Sequence, residues 1–374
     1  MQLQQQLSPP KLSVETFFRS YIQFTVLLQV NMAGDPNILP STMRAWLWTS
    51  AAGGLEKNLQ LSQSATRPGQ QLQKDQVVVQ VISMSLNPAD YKVPEMGLIA
   101  KLIISTPSSP GIDFCGRIVA AGSAVDEFSM GQLVYGCLGR PVQFGPLAEY
   151  LVCPSTAIAS LPARVDPDDA ATIGVAGQTA YQVLYPPKTA GDRVFINGGS
   201  GGCGLYAIQI AKILGWHVTV TCSTRNVTLC QELGADEVID YTTTDVVQAL
   251  KDKGLVFGLV IDMIGTQTSL YSECHHFLRP GEPFVEVATA SIWSAVSRFL
   301  WPGFLGGGKR RLQFVFFSSG RSSLTQLGEW IKEGKVKVVL DSTFEFEDAI
   351  KAYEKLRTQR ARGKIVVHVA EKPK

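Results

Sequence analysis

The stretch RVFINGGSGGCGLYAIQIAKILG, residues 193–215, decides the fold of this chain. It begins with an apolar run typical of a buried strand, and residues 205–214 are typical of an apolar helix. Between them, Gly199, Gly201 and Gly204 form the pattern G-x-G-x-x-G. Glycines allow a sharp turn and close backbone approach to a diphosphate, and the start of the helix presents unpaired N–H groups to it. The sequence therefore predicts a dinucleotide-binding strand–loop–helix unit rather than a merely flexible glycine-rich loop.

The pattern around this unit alternates between strands and helices. Short apolar runs that predict strands follow at HVTVTC (217–222), EVID (237–240), GLVID (258–262), PFVEVA (283–288) and RLQFVFF (311–317). Continuous apolar strands joined by helical crossovers predict a parallel sheet that is covered on both faces. We therefore expect residues 164–318 to form an α/β domain with a doubly wound parallel sheet of the Rossmann type.

The segments on either side of this domain are rich in β-structure. Runs such as VVVQVI (77–82) and GRIVAA (116–121) are separated by glycine and proline, and they predict a compact barrel-like module. The tail carries an expected helix at 347–357 and an expected strand at 365–369. Residues 43–163 and 319–374 are therefore expected to form one domain, and residues 1–42 an N-terminal extension dispensable to the fold.

Composition excludes several classes of protein. Lys and Arg number 34 against 32 Asp and Glu, and the resulting net charge of +2 is too balanced for a nucleic-acid-binding surface. The seven cysteines are scattered without a C-x-x-C pair, so we expect buried, reduced thiols in a cytoplasmic protein. The basic residues Lys11 and Arg19 give only a weak targeting signal, which leaves a mitochondrial location as the alternative. No apolar run near the start reaches the ~20 residues that span a bilayer.

The second strand of the predicted Rossmann unit indicates which dinucleotide is bound. NAD-dependent enzymes place a carboxylate after this strand, but here Ser223, Thr224 and Arg225 follow it. A guanidinium and two hydroxyls suit a 2′-phosphate, so the sequence predicts NADPH as cofactor. The alternative for Arg225 is a solvated residue that opens the next helix. Tyr241, after the third strand, either lies beside the same adenosine or caps the core.

Several further blocks match one family. They are SLNPADYK (85–92), PGIDFCGRIVAAGSAVDEFSMGQLVYG (110–136), GPLAEY (145–150), AGQTAY (176–181), NGGSGGCG (197–204), ELGADEVIDY (232–241) and ARGKIVV (361–367). From Met43 onward the chain resembles the medium-chain dehydrogenase/reductase superfamily, in its zinc-independent quinone oxidoreductase and enoyl reductase branch. The resemblance implies a GroES-like catalytic domain of β-barrel type split around the Rossmann domain, a substrate cleft between them, and a homodimer.

The zinc-dependent alcohol dehydrogenases of this superfamily have a Gly-His-Glu motif that this sequence lacks. Gly111, Ile112 and Asp113 stand in its place, and the four histidines lie at positions 217, 275, 276 and 368, in or after the cofactor domain. A tetrahedral site of nitrogen and sulfur ligands is not readily assembled from these residues. We therefore predict no metal site, and a zinc-type alcohol dehydrogenase remains a further alternative.

Without a metal, hydride transfer is expected to reduce the C=C bond of a small apolar α,β-unsaturated carbonyl, or a quinone. The resemblance places Asn87 near the nicotinamide and the substrate carbonyl, and Thr179 in the same cleft. Tyr91 is a candidate proton or hydrogen-bond donor, with a core tyrosine as the alternative. The catalytic tyrosine of mitochondrial enoyl thioester reductases has no counterpart at residues 94–98. The proton donor therefore stays open, with water one candidate.

The same resemblance implies further contacts with the cofactor. Ser200, Gly201, Gly202 and Cys203 are expected to meet the diphosphate, and Ile264, within residues 262–265, to run beside the nicotinamide ribose. Lys364 is expected to reach the cofactor from the C-terminal segment. The backbone near Phe316 and Phe317 is expected to flank the nicotinamide. Asp90 and Asp113 are expected to be structural carboxylates that accept bonds from turn N–H groups.

One aromatic and basic segment stands apart, IWSAVSRFLWPGFLGGGKRRLQFVFF at residues 292–317. Three interpretations are open for it: an insertion packed on the sheet or on a dimer partner, a hydrophobic flap beside the site, or membrane contact through residues 292–311. Together with the missing tyrosine, this segment motivates a second function hypothesis, a regulatory or membrane-associated NADPH-binding protein with little turnover.

Overall fold

The computed structural model describes residues 39–140, 142–185, 191–287, 309–315 and 317–372. The first part of the chain forms a two-stranded antiparallel sheet, β1 with β2, most of a second, larger sheet, and two short helices. Its elements are β1 (Thr42–Leu47), β2 (Gln60–Thr66), β3 (Gln76–Ser85), α1 (Pro88–Lys92), α2 (Leu98–Ile103), β4 (Asp113–Ala121), β5 (Leu133–Cys137), β6 (Tyr150–Pro154) and β7 (Ile158–Ser160). The β-rich pattern of residues 43–163 is accounted for by these strands.

A parallel α/β layer follows. A short helix α3 (Pro167–Ala171), a π-helical segment at Ile173–Gly177 and α4 (Gln178–Leu184) lead into it. The layer itself comprises β8 (Arg193–Asn197), α5 (Gly202–Ile213), β9 (His217–Cys222), α6 (Val227–Glu232), β10 (Glu237–Asp240), α7 (Val246–Lys253), β11 (Leu259–Asp262), α8 (Thr268–Ser272), β12 (Pro283–Glu286) and β13 (Arg311–Phe314). The strands lie in the order β10-β9-β8-β11-β12-β13, every pair parallel, which confirms the doubly wound sheet.

The chain then returns to the first sheet. Its last elements are α9 (Arg321–Lys332), β14 (Leu340–Glu345), α10 (Ala349–Arg357) and β15 (Lys364–His368). Strand β15 pairs antiparallel with β3, and β14 pairs parallel with β15, so the tail extends the N-terminal sheet. The resulting seven-stranded sheet has the order β14-β15-β3-β4-β5-β7, with β6 also paired to β3. The GroES-like plus Rossmann fold class is confirmed.

Two strands end earlier than the sequence predicted. Strand β12 ends at Glu286, which pairs with Asp262 at the end of β11 and with Phe314 at the end of β13. All three strands therefore stop at one carboxyl edge of the sheet. Phe317, at the predicted end of β13, lies beyond that edge, and Phe316 lies outside the described residues.

Separate hydrophobic clusters underlie the two sheets. Trp48, Phe114 and Tyr353 are buried in the cluster of the catalytic domain, while Ile196 and Ile208 belong to that of the Rossmann sheet. Helix α9 sends Leu324, Leu327 and Trp330 into the Rossmann cluster, although the sequence assigned residues 319–374 to the other domain. The domain boundary at 318/319 therefore stays a prediction. Among the described residues, no helix combines the length and apolarity that crossing a membrane requires.

Candidate active site

The glycine loop connects β8 to the first turn of α5. A Cβ on Gly204 would lie 2.2 Å from the carbonyl oxygen of Gly198, so only glycine lets the helix pack this closely against the loop. At Gly201 the opposite holds, because a Cβ there would meet only the same Gly198 oxygen, at 3.5 Å. The loop surface at Gly201, directly before the helix N-terminus, is open. This is the arrangement that admits a diphosphate to the N–H groups of α5.

Polar side chains at the ends of neighbouring strands hold the loop in place. The Asn197 amide donates to Asp262 Oδ1 at 2.8 Å and accepts from the Thr221 hydroxyl at 2.7 Å. Thr221 Oγ1 also accepts the N–H of Gly198 at 2.8 Å. The sequence analysis assigned no role to Asn197 and included Asp262 only in residues 262–265, beside the nicotinamide ribose. Polar residues at the carboxyl ends of apolar strands are a signal that could have identified their role in the loop.

The predicted contact Ile264 lies beside this loop. Its N–H donates to Asp262 Oδ1 at 3.0 Å. A Cβ placed on Gly198 would come within 2.7 Å of Ile264 Cδ1. The segment after β11 therefore presents Ile264 next to the glycine loop, and 45% of Ile264 is exposed.

The predicted adenosine end is connected to the same loop. The Asn226 amide donates to the hydroxyl of Ser200 at 3.0 Å and to that of Ser223 at 3.4 Å. The Tyr241 N–H donates to the carbonyl oxygen of Cys222 at 3.1 Å, which places Tyr241 beside the segment that carries Ser223. The Tyr241 side chain is 58% exposed, which favours the adenosine interpretation over a core cap. Asn226 is a further residue that the sequence analysis missed.

Arg225 is exposed and reaches across to the other domain. One guanidinium nitrogen, Nη2, donates to the backbone carbonyl oxygen of Arg360 at 3.2 Å. Thr224 has another partner, because its hydroxyl donates to Asp240 Oδ2 at 2.5 Å. Asp240 also accepts from the Thr242 hydroxyl, so hydroxyl groups satisfy the carboxylate at the end of β10. Arg225 thus lies exposed in the turn directly before α6, with one backbone partner in the C-terminal segment.

A buried polar cluster surrounds Asn87 at the start of α1. The Asn87 Nδ2 donates to Asp113 Oδ2 at 2.8 Å, and Asn87 Oδ1 accepts from Lys364 Nζ at 2.7 Å. Lys364 Nζ also donates to the carbonyl oxygen of Leu86 at 3.1 Å. Asn87 is 3% exposed and Lys364 5% exposed. Asn87 Nδ2 also donates to the carbonyl oxygen of Ser85, at the longer distance of 3.5 Å. The amide is therefore fixed from both sides.

Asp113 is the negative centre of this cluster. It is fully buried, and its Oδ1 accepts the N–H of Val175 at 2.8 Å while Oδ2 accepts from Ser85 at 3.3 Å. Lys364 Nζ lies 3.6 Å from Oδ2. Burial raises the pKa of Asp113, and the Lys364 charge acts in the opposite direction. Asp113 thus accepts a backbone N–H, as expected of a structural carboxylate, and it also orients Asn87.

Asp90 lies one turn further along α1. Its Oδ2 accepts the N–H of Asn87 at 2.7 Å, which fixes the start of the helix. Burial raises the pKa of Asp90 to about 8, and the nearby Asp113 charge contributes to the rise. Burial therefore favours the neutral form of the Asp90 carboxyl.

Lys364 joins the two parts of the site. A Cβ on Gly202 would lie 3.3 Å from Lys364 Cδ, so the lysine side chain runs along the first turn of α5 before it ends at Asn87. Cys203 is close to the same ammonium, which opposes the burial that raises the pKa of this thiol to about 11. The diphosphate loop and the Asn87 cluster are therefore adjacent.

The remaining predicted site residues are Thr179, Tyr91, Phe316 and Phe317, and they lie in different parts of the chain. Thr179 is buried in α4, a helix that packs on α5. Tyr91 is buried in the hydrophobic cluster of the catalytic domain, and the Arg357 guanidinium carbon lies 4.5 Å from the centre of its ring. This packing favours the core-tyrosine alternative over a proton donor. Phe317 packs against the same cluster, whereas Phe316 lies outside the described residues, as does most of the segment 292–311.

Metal ligands do not cluster in the part of the chain that the structure describes. No group of three or more His, Cys, Asp or Glu side chains there is arranged to hold a metal ion. His275 lies against His276, with ring centres 4.0 Å apart, and its Nδ1 contacts the carbonyl oxygen of Ser272. His368 bridges Asp168 and Glu345.

Comparison with known proteins agrees with this architecture. A family model described as alcohol dehydrogenase GroES-like domain matches residues 73–163, and one described as zinc-binding dehydrogenase matches residues 233–367. A trans-enoyl reductase of Aspergillus terreus is 46% identical, over 89% of this chain and 98% of the relative. An NADPH-dependent alkenal/one oxidoreductase of Arabidopsis thaliana is 32% identical, over 95% and 88% respectively. The structure of a quinone oxidoreductase from Coxiella burnetii superposes with a TM-score of 0.75 at 29% identity, covering 87% of this chain and 99% of that one.

Fold and site together define a two-domain oxidoreductase with a place for a nicotinamide cofactor. The chain belongs to the medium-chain dehydrogenase/reductase superfamily, in its enoyl reductase and quinone oxidoreductase-like branch. The relatives are enzymes, which supports a reductase and not the regulatory protein considered from the sequence.

Proposed function

We propose that the protein uses NADPH to reduce the C=C bond of an α,β-unsaturated carbonyl, or a quinone, without a catalytic metal. The observation that carries this proposal is the position of Asn87, which is pinned by Asp113 and Lys364 directly beside the diphosphate loop. Relatives named as trans-enoyl reductase and alkenal/one oxidoreductase support this substrate class.

The preference for NADPH rests on the end of β9. Ser223 and Arg225 follow this strand with no carboxylate among residues 223–225, and the exposed Arg225 guanidinium donates to the Arg360 carbonyl oxygen. A guanidinium suits a 2′-phosphate, which a carboxylate at the same place would repel. Tyr241 offers its exposed ring to the adenosine of the proposed cofactor.

The cofactor, when bound, supplies a hydride to the β-carbon of the substrate. The chain's own contribution is to hold the substrate and to stabilise the negative charge that develops on its carbonyl oxygen. We propose that the amide of Asn87 and the ammonium of Lys364, whose Nζ lies 2.7 Å from Asn87 Oδ1, are the groups that do this. Because Tyr91 is packed under Arg357, we propose that water delivers the proton.

A substrate panel tests this function. Purified protein is mixed with NADPH or NADH and with enones, quinones and enoyl thioesters, and cofactor oxidation is followed by absorbance. We expect turnover with at least one class and a preference for NADPH, together with a loss of turnover but not of NADPH binding in Asn87→Ala. Inactivity with all three classes while NADPH binds normally would refute the proposed reaction.

Two further expectations concern the assembly and location of the protein. We propose a homodimer, which light scattering on the purified chain tests, because a monomeric mass would exclude it. We also propose a cytoplasmic location, with mitochondria as the alternative. Fluorescence microscopy of the full-length chain carrying a C-terminal tag distinguishes the two.

A further inference from the structure

A small cavity lies beneath α1, between the segments that carry Asn87 and Asp113. Its volume is about 20 Å³. Ala89, Asp90 and Val93 line it on the α1 side, and Gly111 and Ile112, directly before Asp113, line it on the other. A group bound in this cavity would therefore touch Asp90, whose carboxyl accepts the N–H of Asn87.

Three polar side chains of the cavity wall have an atom without a hydrogen-bond partner among the described residues. They are Trp48 with Nε1, Asp90 with Oδ1 and Ser109 with Oγ. These side chains are only 2%, 3% and 1% exposed. A buried polar atom without a partner is costly, and in native proteins such atoms usually bind ordered water. Three of them around one cavity indicate a bound ligand.

The size and chemistry of the cavity select water as this ligand. One water needs roughly 10–15 Å³ and two to four polar partners, and this cavity supplies both. The indole N–H of Trp48 can only donate, whereas Ser109 donates or accepts. A cation is disfavoured because it would meet the indole N–H of Trp48. An anion is disfavoured because it would meet the carboxyl of Asp90, with Asp113 behind it.

We propose that this cavity holds one water molecule, and that protonated Asp90, bonded to this water, is a positioning residue for Asn87. Asp90 Oδ2 accepts the N–H of Asn87 at 2.7 Å, while the acid proton on Oδ1 is donated to the water. The water in turn accepts from Trp48 and bonds Ser109. The acid thereby fixes the start of α1, and with it the amide that faces the substrate.

The charges around Asp90 explain why it must stay neutral. Asp113 and Lys364 face it from β4 and β15, Cys137 from β5 and Tyr353 from α10. Lys364 already balances Asp113 at 3.6 Å. Burial raises the pKa of Asp90 to about 8, so above that pH a second negative charge enters the cluster. The Lys364 ammonium is then shared between two carboxylates and drawn away from Asn87.

A pH profile tests this role, and it rests on the proposed reductase function. The kcat/KM of the wild type, measured with a non-ionising enone, is expected to fall with rising pH, with a midpoint near 8. Asp90→Asn keeps a neutral donor and is expected to lose this alkaline fall. Ser109→Ala removes one hydrogen-bond partner of the water, and this water solvates the charged form of Asp90. The fall of kcat/KM in this variant should therefore move to higher pH. Asp126→Asn, at an exposed aspartate, is the matched control and should behave as wild type.

A fall that persists unchanged in Asp90→Asn would overturn the proposal. If that variant does not fold, an unmoved profile in Ser109→Ala overturns it instead. A crystal structure that resolves ordered waters supplies a direct check, because we expect one within hydrogen-bond distance of Trp48, Asp90 and Ser109. A dry cavity would refute the water site.

A stability measurement separates this proposal from the proposed function. Folded Asp90 keeps its proton up to about pH 8, whereas the unfolded chain releases it near 3.8. The wild type therefore loses stability relative to Asp90→Asn as pH rises from 4 to 8, and the difference levels off above that. Melting temperatures without cofactor or substrate measure it. A pH-independent difference in melting temperature between wild type and Asp90→Asn would refute the neutral Asp90 even if the enzyme is active. If the protein is inactive with every substrate, this stability measurement still decides the proposal.

Discussion

Lys364 Nζ lies 2.7 Å from Asn87 Oδ1, although 277 positions separate the two residues in the chain. Lys364 opens β15, and Asn87 precedes α1 at the end of β3, the strand with which β15 pairs. The return of the C-terminus to the first sheet therefore completes the site. Because the lysine side chain also passes Gly202, a single cation links the substrate side to the cofactor loop.

Removal of this cation should cost both stability and activity. Lys364→Met leaves the buried Asp113 without its counter-charge, and breaking a buried ion pair costs roughly 3–5 kcal/mol. The raised pKa of Asp113 means that this carboxyl takes up a proton more readily, so the loss should be smaller at pH 5 than at pH 8. Urea unfolding at the two pH values measures it.

The matched control for this lysine is Lys332→Met, which breaks an exposed pair with Glu329 on α9. Exposed pairs contribute about 0–1 kcal/mol, so little change is expected. The double variant Asp113→Asn with Lys364→Met should lose less stability than Lys364→Met alone. Equal losses at both pH values would show that the buried charge is not the cause.

Two glycines of the loop should respond oppositely to the same substitution. Gly204→Ala places a Cβ 2.2 Å from the Gly198 carbonyl oxygen and is expected to unfold or strongly destabilise the domain. Gly201 has φ −79°, which alanine adopts freely, and open space on its outer side. Gly201→Ala should therefore fold normally but bind NADPH about tenfold more weakly, since a methyl group occupies the diphosphate side, at a cost of about 1.4 kcal/mol.

Calorimetry and thermal melting check this contrast together. A Gly201→Ala protein with wild-type affinity would mean that the diphosphate does not contact this part of the loop. A Gly204→Ala protein with wild-type stability would mean that the loop and helix can separate without penalty.

Sequence predicted the Rossmann sheet well because its strands are short continuous apolar runs. Arg193–Asn197 and His217–Cys222 have the bounds that the hydrophobic pattern indicated. The edge strands were less well predicted, since β12 and β13 stop where their neighbours stop rather than where the apolar runs end. Pairing within a sheet is a property of the neighbours and is not visible in one strand's composition.

The site was harder to predict than the fold. The resemblance pointed to Asn87 and Lys364 separately, but their mutual contact and the role of Asp113 depend on pairs 26 and 277 residues apart. The packing of the Tyr91 side chain depends on Arg357, a residue of α10 whose guanidinium lies over the Tyr91 ring. Such long-range contacts depend on how the N-terminal and C-terminal segments pack together in one sheet, and no local sequence pattern encodes them.

Arg225 should determine the choice between the two nicotinamide cofactors. Arg225→Ala removes a charge-assisted contact worth about 1.5–3 kcal/mol, so NADPH affinity should fall roughly 10- to 100-fold. NADH lacks the 2′-phosphate and is the internal control, with an expected affinity close to wild type. The NADPH preference should also weaken with salt, because Arg225 is exposed. Equal losses for both cofactors would place the guanidinium away from the 2′-phosphate.

His368 should make part of the stability depend on pH. Burial lowers the pKa of His368, but bonds to Asp168 and Glu345 outweigh it and raise the pKa above 6.5. A raised pKa in the folded state means that the contribution is full below 6.5 and is lost as pH rises through the folded value. The melting temperature of the wild type minus that of His368→Gln should therefore be largest near pH 5.5 and shrink by pH 8. Asp90 titrates in both proteins and cancels in this difference, so a difference that grows with pH would contradict the charged bridge.

Activity should not depend on zinc. Ile112 stands where the zinc-dependent relatives have a histidine ligand, and the described residues hold no cluster of metal ligands. Dialysis against a chelator is expected to leave NADPH oxidation unchanged, and elemental analysis should find zinc well below one atom per chain. If Asn87 and Lys364 act at the substrate carbonyl as proposed, Asn87→Ala should remain inactive when zinc is added. Stoichiometric zinc, or activity that chelation removes and zinc restores, would contradict the metal-free reaction.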